Sequence, residues 1–186
     1  MARLPSNVIG FDDAPSPGRT RVPLVGAVFA RTRLDGVLID QVRRDGRDST
    51  TRVVAMVSES RFRGHVRAVL LQGIAVAGFN VVDIQAVHCA LGIPVVVVSR
   101  RRPNLAAVRQ ALLERVKGGA RKWALVQRAG SPEPVAGVYV QRAGIDAERT
   151  ARLLGELIVH GSLPEPIRVA HLIAGAVGTG ESRGRA

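Results

Sequence analysis

The chain of 186 residues has a single cysteine, Cys89, and aromatic side chains make up only 3% of it. One cysteine excludes internal disulfides and cysteine-rich zinc sites. No apolar run reaches the roughly 18 residues that a membrane-spanning helix needs, and residues 1–5 do not begin a signal peptide. Internal repeats are also missing. We therefore expect one cytoplasmic domain over residues 1–186, with a core of Val, Leu, Ile and Ala.

Acidic residues are scarce relative to basic ones. The chain has 27 Lys and Arg against 15 Asp and Glu, a formal net charge of +12, and all the basic residues except Lys117 and Lys122 are arginine. Arginine binds phosphate with two parallel hydrogen bonds, so this composition favours a nucleic acid as partner, DNA or alternatively RNA, and no membrane. A genomic or thermophilic preference for arginine would explain the Arg/Lys ratio but not the net excess of positive charge.

The order of apolar runs and turn signals predicts an α/β domain. Strands are expected at 7–11, 22–30, 36–42, 66–71 and 93–98, and helices at 51–60, 81–91, 104–117 and 147–158. Three antiparallel strands, a helix and then parallel strand–helix units form the mixed sheet of the ribonuclease H-like fold. Residues 178–186 are small, polar and basic, which predicts a mobile tail.

That fold carries carboxylates at the ends of its first and fourth strands and on the helix between them. Such acids hold Mg²⁺, or alternatively Mn²⁺, for phosphodiester hydrolysis. Asp12 occupies the first position and Asp13 follows it, although neighbours in a strand face opposite sides. Asp48 is either the second acid or the N-cap of the first helix. At the third position the chain has Gln72, whose amide supplies no charge.

Three further features are candidates for binding. In 163–171 two prolines predict a rigid extended segment before a buried helix, on which Arg168 and His171 share a face; the alternative is a helix start with a capping arginine and a core histidine. Asn80, between a strand and a helix, is positioned to contact a phosphate or a base edge. Residues 100–102, three arginines, follow a buried strand at the edge of the sheet where ligands bind.

Several motifs resemble a known family. The segment 163–171, Leu-Pro-Glu-Pro-Ile-Arg-Val-Ala-His, is similar to a signature near the C-terminus of endonuclease V. The segments 10–15 (Gly-Phe-Asp-Asp-Ala-Pro), 78–83 (Gly-Phe-Asn-Val-Val-Asp) and 181–186 (Glu-Ser-Arg-Gly-Arg-Ala) resemble the archaeal relatives of endonuclease V known as endonuclease dU. The resemblance extends from Val8 to about Val177.

The resemblance implies a metal-dependent endonuclease that cleaves DNA containing deaminated bases, uracil more than hypoxanthine, in DNA repair. Three groups of site residues follow from it and from the fold: metal ligands (Asp12, Asp13, Asp48), catalytic groups (Asp12, Asp48, His171, Arg100) and nucleic-acid contacts (Arg100, Arg101, Arg102, Asn80, Arg168). His171 would act as a ligand or proton carrier, and Arg100 replaces a lysine of the family. Because Gln72 replaces an acid, the alternative is a non-catalytic nucleic-acid-binding protein with the same fold.

Overall fold

The computed structural model describes residues 4–182. The strands in chain order are β1 (Asn7–Asp13), β2 (Arg21–Ala30), β3 (Arg33–Arg43), β4 (Ala68–Gln72), β5 (Ala75–Val76), β6 (Asn80–Val81), β7 (Val95–Ser99), β8 (Glu133–Val135) and β9 (Val138–Ala143). The helices are α1 (Ser49–Ser58), α2 (Ile84–Leu91), α3 (Leu105–Arg115), α4 (Gly119–Arg128), α5 (Ala147–Leu157) and α6 (Glu165–Thr179). In this part of the chain no helix is both long and apolar enough to cross a membrane.

Seven of the strands form one mixed sheet in the order β3-β2-β1-β4-β7-β9-β8. The β1–β2, β2–β3, β7–β9 and β8–β9 pairs are antiparallel, whereas β1–β4 and β4–β7 are parallel. The predicted arrangement, three antiparallel strands followed by parallel strand–helix units, is therefore confirmed. Because β1 and β4 are parallel and adjacent, their carboxyl ends meet at one edge of the sheet.

Helices cover both faces of the sheet. Ile9 and Phe11 of β1 pack with apolar residues of α1 and α2 on one face. Val8 packs with residues of α5 and α6 on the other. This alternation along β1 follows from the two-residue period of a strand. It determines which face each residue at the carboxyl end of β1 occupies.

The structure differs from the sequence prediction at short elements and at helix ends. The β5–β6 hairpin and β8 were not predicted, since strands of two or three residues are too short to show a period. The sequence prediction started α2 at residue 81 because it did not recognise β6. In the structure α2 begins at Ile84, after that strand. The predicted tail begins too early, because Gly178 and Thr179 belong to α6. Its residues 183–186 lie outside the described part of the chain.

Helix α6 begins inside the two-proline segment, which is not extended throughout. Pro164 is the N-cap, and Pro166 lies in the first turn of the helix. Proline is tolerated there because the first amides of a helix have no intrahelical acceptor. The extended segment predicted from the two prolines therefore ends at Pro164, and the second proline helps to begin the helix.

Two glycines allow α6 to lie directly against β1 and the loop that follows it. A Cβ atom on Gly10 would lie 2.3 Å from the carbonyl carbon of Pro166, and one on Gly178 would lie 2.3 Å from the carbonyl oxygen of Pro15. Heavy atoms do not approach so closely, so any side chain at either position would displace the helix. These contacts, one near each end of α6, position every side chain on the face of the helix that meets the sheet.

We expect Gly10→Ala to destabilise the protein by about 1–3 kcal/mol, because its methyl group must push backbone rather than a flexible side chain. Gly155→Ala in α5 is a matched control, since a Cβ there meets nothing within 4 Å. It should stabilise the protein by about 0.5–1 kcal/mol through helix propensity. Denaturant titration of both variants measures the difference. A neutral Gly10→Ala would show that the contact between α6 and β1 is loose.

Candidate active site

Asp12 and His171 form the centre of the candidate site, although they are 159 positions apart in the chain. Nδ1 of His171 lies 2.7 Å from Oδ2 of Asp12. The Asp12 side chain is 9% exposed and the His171 side chain 30% exposed. With Asp12 ionised, the Nδ1–H group donates to the carboxylate, which fixes the tautomer and orientation of the ring. Nε2 is then the nitrogen available to accept a proton from another group.

The two neighbouring carboxyl groups are poorly solvated. Burial raises the pKa of Asp12 to about 6, against the opposing effect of its hydrogen bond with His171. Burial also raises the pKa of Asp13 above its ordinary value, although a hydrogen bond from the backbone of Ala77 acts in the opposite direction. Asp13 further raises the pKa of Asp12 by charge repulsion. A cation beside such a pair would favour the ionised forms.

Asp12 and Asp13 lie on opposite faces of β1, as the two-residue period of the strand requires. Asp12 faces α6, where it meets His171. Asp13 accepts a hydrogen bond from the backbone of Ala77, in the turn between β5 and β6. The apolar residues of that turn pack on the α1–α2 face of the sheet. Asp12 is therefore the carboxylate that belongs to the site with His171.

Gln72 lies beside Asp12 at the end of the neighbouring parallel strand. Phe11 of β1 is paired with Leu71 of β4, so the next residues along the two strands are also neighbours and share a face. Oε1 of Gln72 is buried and has no hydrogen-bond partner in the described structure. An unsatisfied buried oxygen costs about 1–3 kcal/mol, so this atom is a candidate ligand for a cation. The sequence alone indicated a missing acid and an amide that could bind Mg²⁺ only weakly at this position.

The residues present fit one divalent cation better than the predicted three-acid site. Within residues 4–182 no group of three or more Asp, Glu, His or Cys side chains could hold a metal ion, so Asp12, Asp13 and Asp48 are not assembled into one centre. Asp12 and Gln72 do lie on adjacent parallel strands and share a face of the sheet, and the amide oxygen of Gln72 is buried without a hydrogen-bond partner. Oxygen donors suit a hard cation such as Mg²⁺, which keeps several water ligands.

Asp48 performs neither of the two roles predicted for it as a side chain. It occupies the N-cap position of α1, but its carboxylate makes no capping hydrogen bond. The side chain instead accepts hydrogen bonds from the backbone amide of Arg43 and from Nδ2 of Asn80, the latter at 2.7 Å. Asp48 therefore holds the β3–α1 loop in place.

The prediction that Asn80 contacts nucleic acid is wrong, because Asn80 is completely buried. Its Oδ1 accepts from the backbone amide of Ser49, and its Nδ2 donates to Asp48 and to the carbonyl oxygen of Arg43. Asn80 thus takes over the capping of α1 across 31 positions of sequence. Local sequence carries no signal for such a contact.

The predicted arginines differ in their surroundings. Arg100, Arg101 and Arg102 are exposed and follow β7. Val98 of β7 is paired with Gln72, so the three arginines leave the sheet at the same edge as the candidate site. Contact of these arginines with phosphate stays a prediction.

Arg168 is already engaged within its own helix. Its Nε and an Nη atom each donate to Glu165 at 2.7 Å, which forms a bidentate ion pair across one turn. Glu165 is 7% exposed, so removing Arg168 would leave a buried carboxylate unpaired. The pair stabilises the start of α6, and a contact of Arg168 with nucleic acid stays a prediction.

We expect Asp12→Asn to stabilise the folded protein at pH 7 by about 1–3 kcal/mol, but not at pH 3.5. The pKa of Asp12 is raised from 3.8 to about 6, so the folded state binds its proton more tightly than the unfolded state does. The stability that this proton contributes is present below pH 3.8 and is lost as the pH rises to about 6. Denaturant titrations at both pH values measure the change.

Asp146→Asn is the matched control for this measurement. Asp146 caps α5 by accepting from the amide of Arg149, and asparagine is an equally good cap. This control should change stability little at either pH. A destabilised Asp12→Asn protein at pH 7 would show that the bond to His171 outweighs the loss of solvation.

Comparison with known proteins supports the assignment of the chain to a family. A family model described as endonuclease dU matches residues 5–178. A UPF0215 protein of Deinococcus radiodurans is 50% identical over 182 residues, which cover 97% of this chain and 93% of the relative. The crystal structure of a protein of unknown function from Archaeoglobus fulgidus superposes with a TM-score of 0.88 and 32% identity, covering 93% of this chain and 98% of that one.

A more distant structure establishes the wider fold. Endonuclease V of Ciona intestinalis, solved with a DNA that contains an inosine followed by a ribo-adenosine, has a TM-score of 0.58 at 11% identity. The match covers 89% of this chain and 82% of that one. This similarity concerns the fold, and it confirms the predicted ribonuclease H-like class. The family model and the close relatives show that the chain belongs to the endonuclease dU family.

Proposed function

We propose that this protein is a metal-dependent endonuclease that hydrolyses phosphodiester bonds in DNA containing a deaminated base, uracil in preference to hypoxanthine. The observation that carries the proposal is the contact of Asp12 with His171, at the end of a strand whose parallel neighbour ends in Gln72 with a buried, unpaired oxygen. Membership of a family described by its action on dU supports uracil as the lesion. The endonuclease V complex with inosine-containing DNA supports the wider substrate class. A role in DNA repair follows from such a substrate.

In this proposal Asp12 and Gln72 hold the cation. A bound divalent cation would polarise a phosphodiester oxygen and lower the pKa of a water ligand. The carboxylate of Asp12 supplies the charge, and the amide oxygen of Gln72 supplies a neutral second donor. With only one carboxylate directly in the site, we expect weak metal binding. Mg²⁺ is the proposed cofactor, and Mn²⁺ is the alternative.

His171 and Arg100 act on the substrate in this scheme. Asp12 holds Nδ1 of His171, so Nε2 is the atom that takes a proton from the attacking water or returns one to the leaving oxygen. Arg100 emerges at the same sheet edge and binds the scissile or a neighbouring phosphate, with Arg101 and Arg102 beside it. Asp48 is not part of this scheme, because its carboxylate is bonded to Asn80 and Arg43.

The second candidate is a nucleic-acid-binding protein without catalysis. The observation in its favour is that the described residues assemble no three-acid centre. Both proposals predict binding to DNA, and they differ only in whether a bond is broken. A cleavage assay therefore separates them.

We expect the protein to cleave a uracil-containing duplex with Mg²⁺ or Mn²⁺ and to leave it intact in EDTA. An inosine-containing duplex should be cleaved more slowly, and an unmodified duplex should not be cleaved. Denaturing gel electrophoresis of end-labelled strands measures this panel, with His171→Ala as the inactive control. Binding of all the duplexes without cleavage under any metal condition would overturn the endonuclease proposal in favour of the second candidate.

A series of substitutions at Gln72 tests the metal site. Gln72→Glu keeps the length of the side chain and adds a charge, so it should lower the Mg²⁺ concentration that gives half-maximal cleavage by about tenfold. Gln72→Met keeps approximate volume without the oxygen, and it should raise that concentration. Metal-dependent shifts in melting temperature provide a readout independent of activity. Equal metal responses in all three proteins would exclude Gln72 as a ligand.

A further inference from the structure

The positive charge of the chain is concentrated in one segment. Residues 100–128 contain nine of the 27 Lys and Arg but only one of the 15 Asp and Glu, so they carry eight of the twelve net positive charges. This segment forms the loop after β7 and the helical pair α3–α4. In α3 only Leu112 is buried, so most of this helix is surface. The buried side chains of Leu112 and Val126 form a hydrophobic cluster with Val81 of β6, which leaves the charged side chains of the segment, except that of Lys122, on its surface.

The turn between α3 and α4 faces the β3–α1 loop across a groove. Two adjoining cavities, of about 450 and 540 Å³, share Gly46 and Arg47. The first is also lined by Arg121 and Lys122 of α4, and the second by Lys117 of the turn. We call the two cavities together the α4 groove. Each is large enough for a nucleotide-sized group.

The acidic residues at the α4 groove are satisfied by internal donors. Asp45 accepts from the backbone amide of Phe79 at 2.7 Å, and Asp48 accepts from Asn80. Asp83 caps α2 and is paired with Arg128. Asp45 and Asp48 keep their charge because these donors are neutral, so the three aspartates oppose five cations that line the groove: Arg43, Arg47, Lys117, Arg121 and Lys122.

Three of the cations of the α4 groove have no carboxylate partner among the described residues. Arg47, Lys117 and Arg121 are exposed, and none of them forms an ion pair with any residue in 4–182. Like charges held close together destabilise a fold unless an anion binds between them. With five lining cations against three aspartates, one of which is already paired with Arg128, the groove keeps a net positive charge.

Internal contacts hold the two walls of the groove at a fixed spacing. Lys122 is 2% exposed, and its Nζ donates to the carbonyl oxygen of Asp45 on the opposite wall. The amide of Asp45 in turn donates to the carbonyl oxygen of Ala77 at 2.9 Å. A Cβ atom on Gly119 would lie 1.7 Å from the carbonyl oxygen of Leu112, so α4 begins in direct contact with α3. A preformed groove loses little entropy when it binds a ligand.

We propose that the α4 groove binds backbone phosphates of the nucleic acid next to the cleaved region, as a second contact separate from Arg100, Arg101 and Arg102. The inference rests on the proposed function for the identity of the polyanion. Arg47 immediately precedes Asp48 in the β3–α1 loop, and Arg121 and Lys117 face that loop from the other wall. The three cations therefore hold a strand through its phosphates without reading its bases.

The test compares two triple variants of equal net charge. Arg47→Gln, Lys117→Gln and Arg121→Gln remove the cations of the groove. The control variant, Arg31→Gln with Arg63→Gln and Arg67→Gln, removes three exposed arginines near the opposite end of the sheet. There the backbone amides of Arg31 and Arg67 donate to the carbonyl oxygens of Ser6 and Asn7, at the start of β1. Binding is measured in EDTA to unmodified and uracil-containing duplexes at several salt concentrations, so no cleavage is needed.

We expect the groove variant to bind both duplexes more weakly and with a shallower salt dependence. Each phosphate that the variant no longer neutralises removes about 0.9 from the log–log slope on duplex DNA. If all three cations bind phosphates, the affinity of the wild type should fall roughly forty-fold more than that of the groove variant between about 50 and 200 mM salt. The control variant should keep nearly the wild-type slope. Arg47→Lys with Arg121→Lys should keep the slope too, because lysine retains the charge.

Several results would overturn the inference. The first is an equal decrease of slope in the groove and control variants, which would indicate general electrostatics. The second is an unchanged slope in a groove variant that melts like the wild type. The third is tight binding of inorganic phosphate by the wild type that is abolished in the groove variant while DNA binding is unaffected, since the groove would then hold a small anion. Binding through the groove without cleavage would instead contradict only the proposed function.

Discussion

The close approach of α6 to β1 is the constraint on which the candidate site depends. Gly10 and Gly178 allow backbone-to-backbone contact near the two ends of the helix, and no other residue fits at either position without displacing it. Between these contacts the helix places His171 against Asp12. The two-proline segment serves the same geometry, because it begins the helix where the Gly10 contact requires it. The chemistry of the site is thus a consequence of packing.

A second set of contacts orders the loops around the site. Asn80 connects the β3–α1 loop and the start of α1 to the β5–β6 hairpin. Asp45 and Asp83 accept hydrogen bonds in the same region. The segment 78–83 therefore has a structural role, in contrast with the chemical role proposed for the residues at the end of β1. Asp45, Asp48 and Asp83 also line the α4 groove, where five cations outnumber them.

The charge distribution suits a phosphodiester substrate. Burial at the end of β1 raises the pKa values of Asp12 and Asp13, and a bound cation would stabilise their ionised forms. Arginines and lysines lie in the α4 groove and after β7. A nucleic acid held through its backbone by such cations would bring its phosphates to a cation beside Asp12. The composition shows a large net positive charge but not where it lies. The structure places part of that charge in the α4 groove and after β7.

The sequence determined the order of strands and helices, because apolar periodicity and turn residues are local signals. It also indicated Asp12, His171 and the arginines after β7 as functional candidates. It could not place Asn80, Asp48 or the free oxygen of Gln72, whose surroundings are formed by residues far apart in the chain. Only the tertiary structure decided these, since a side chain's hydrogen-bond partners and burial depend on which strands are adjacent and on their register.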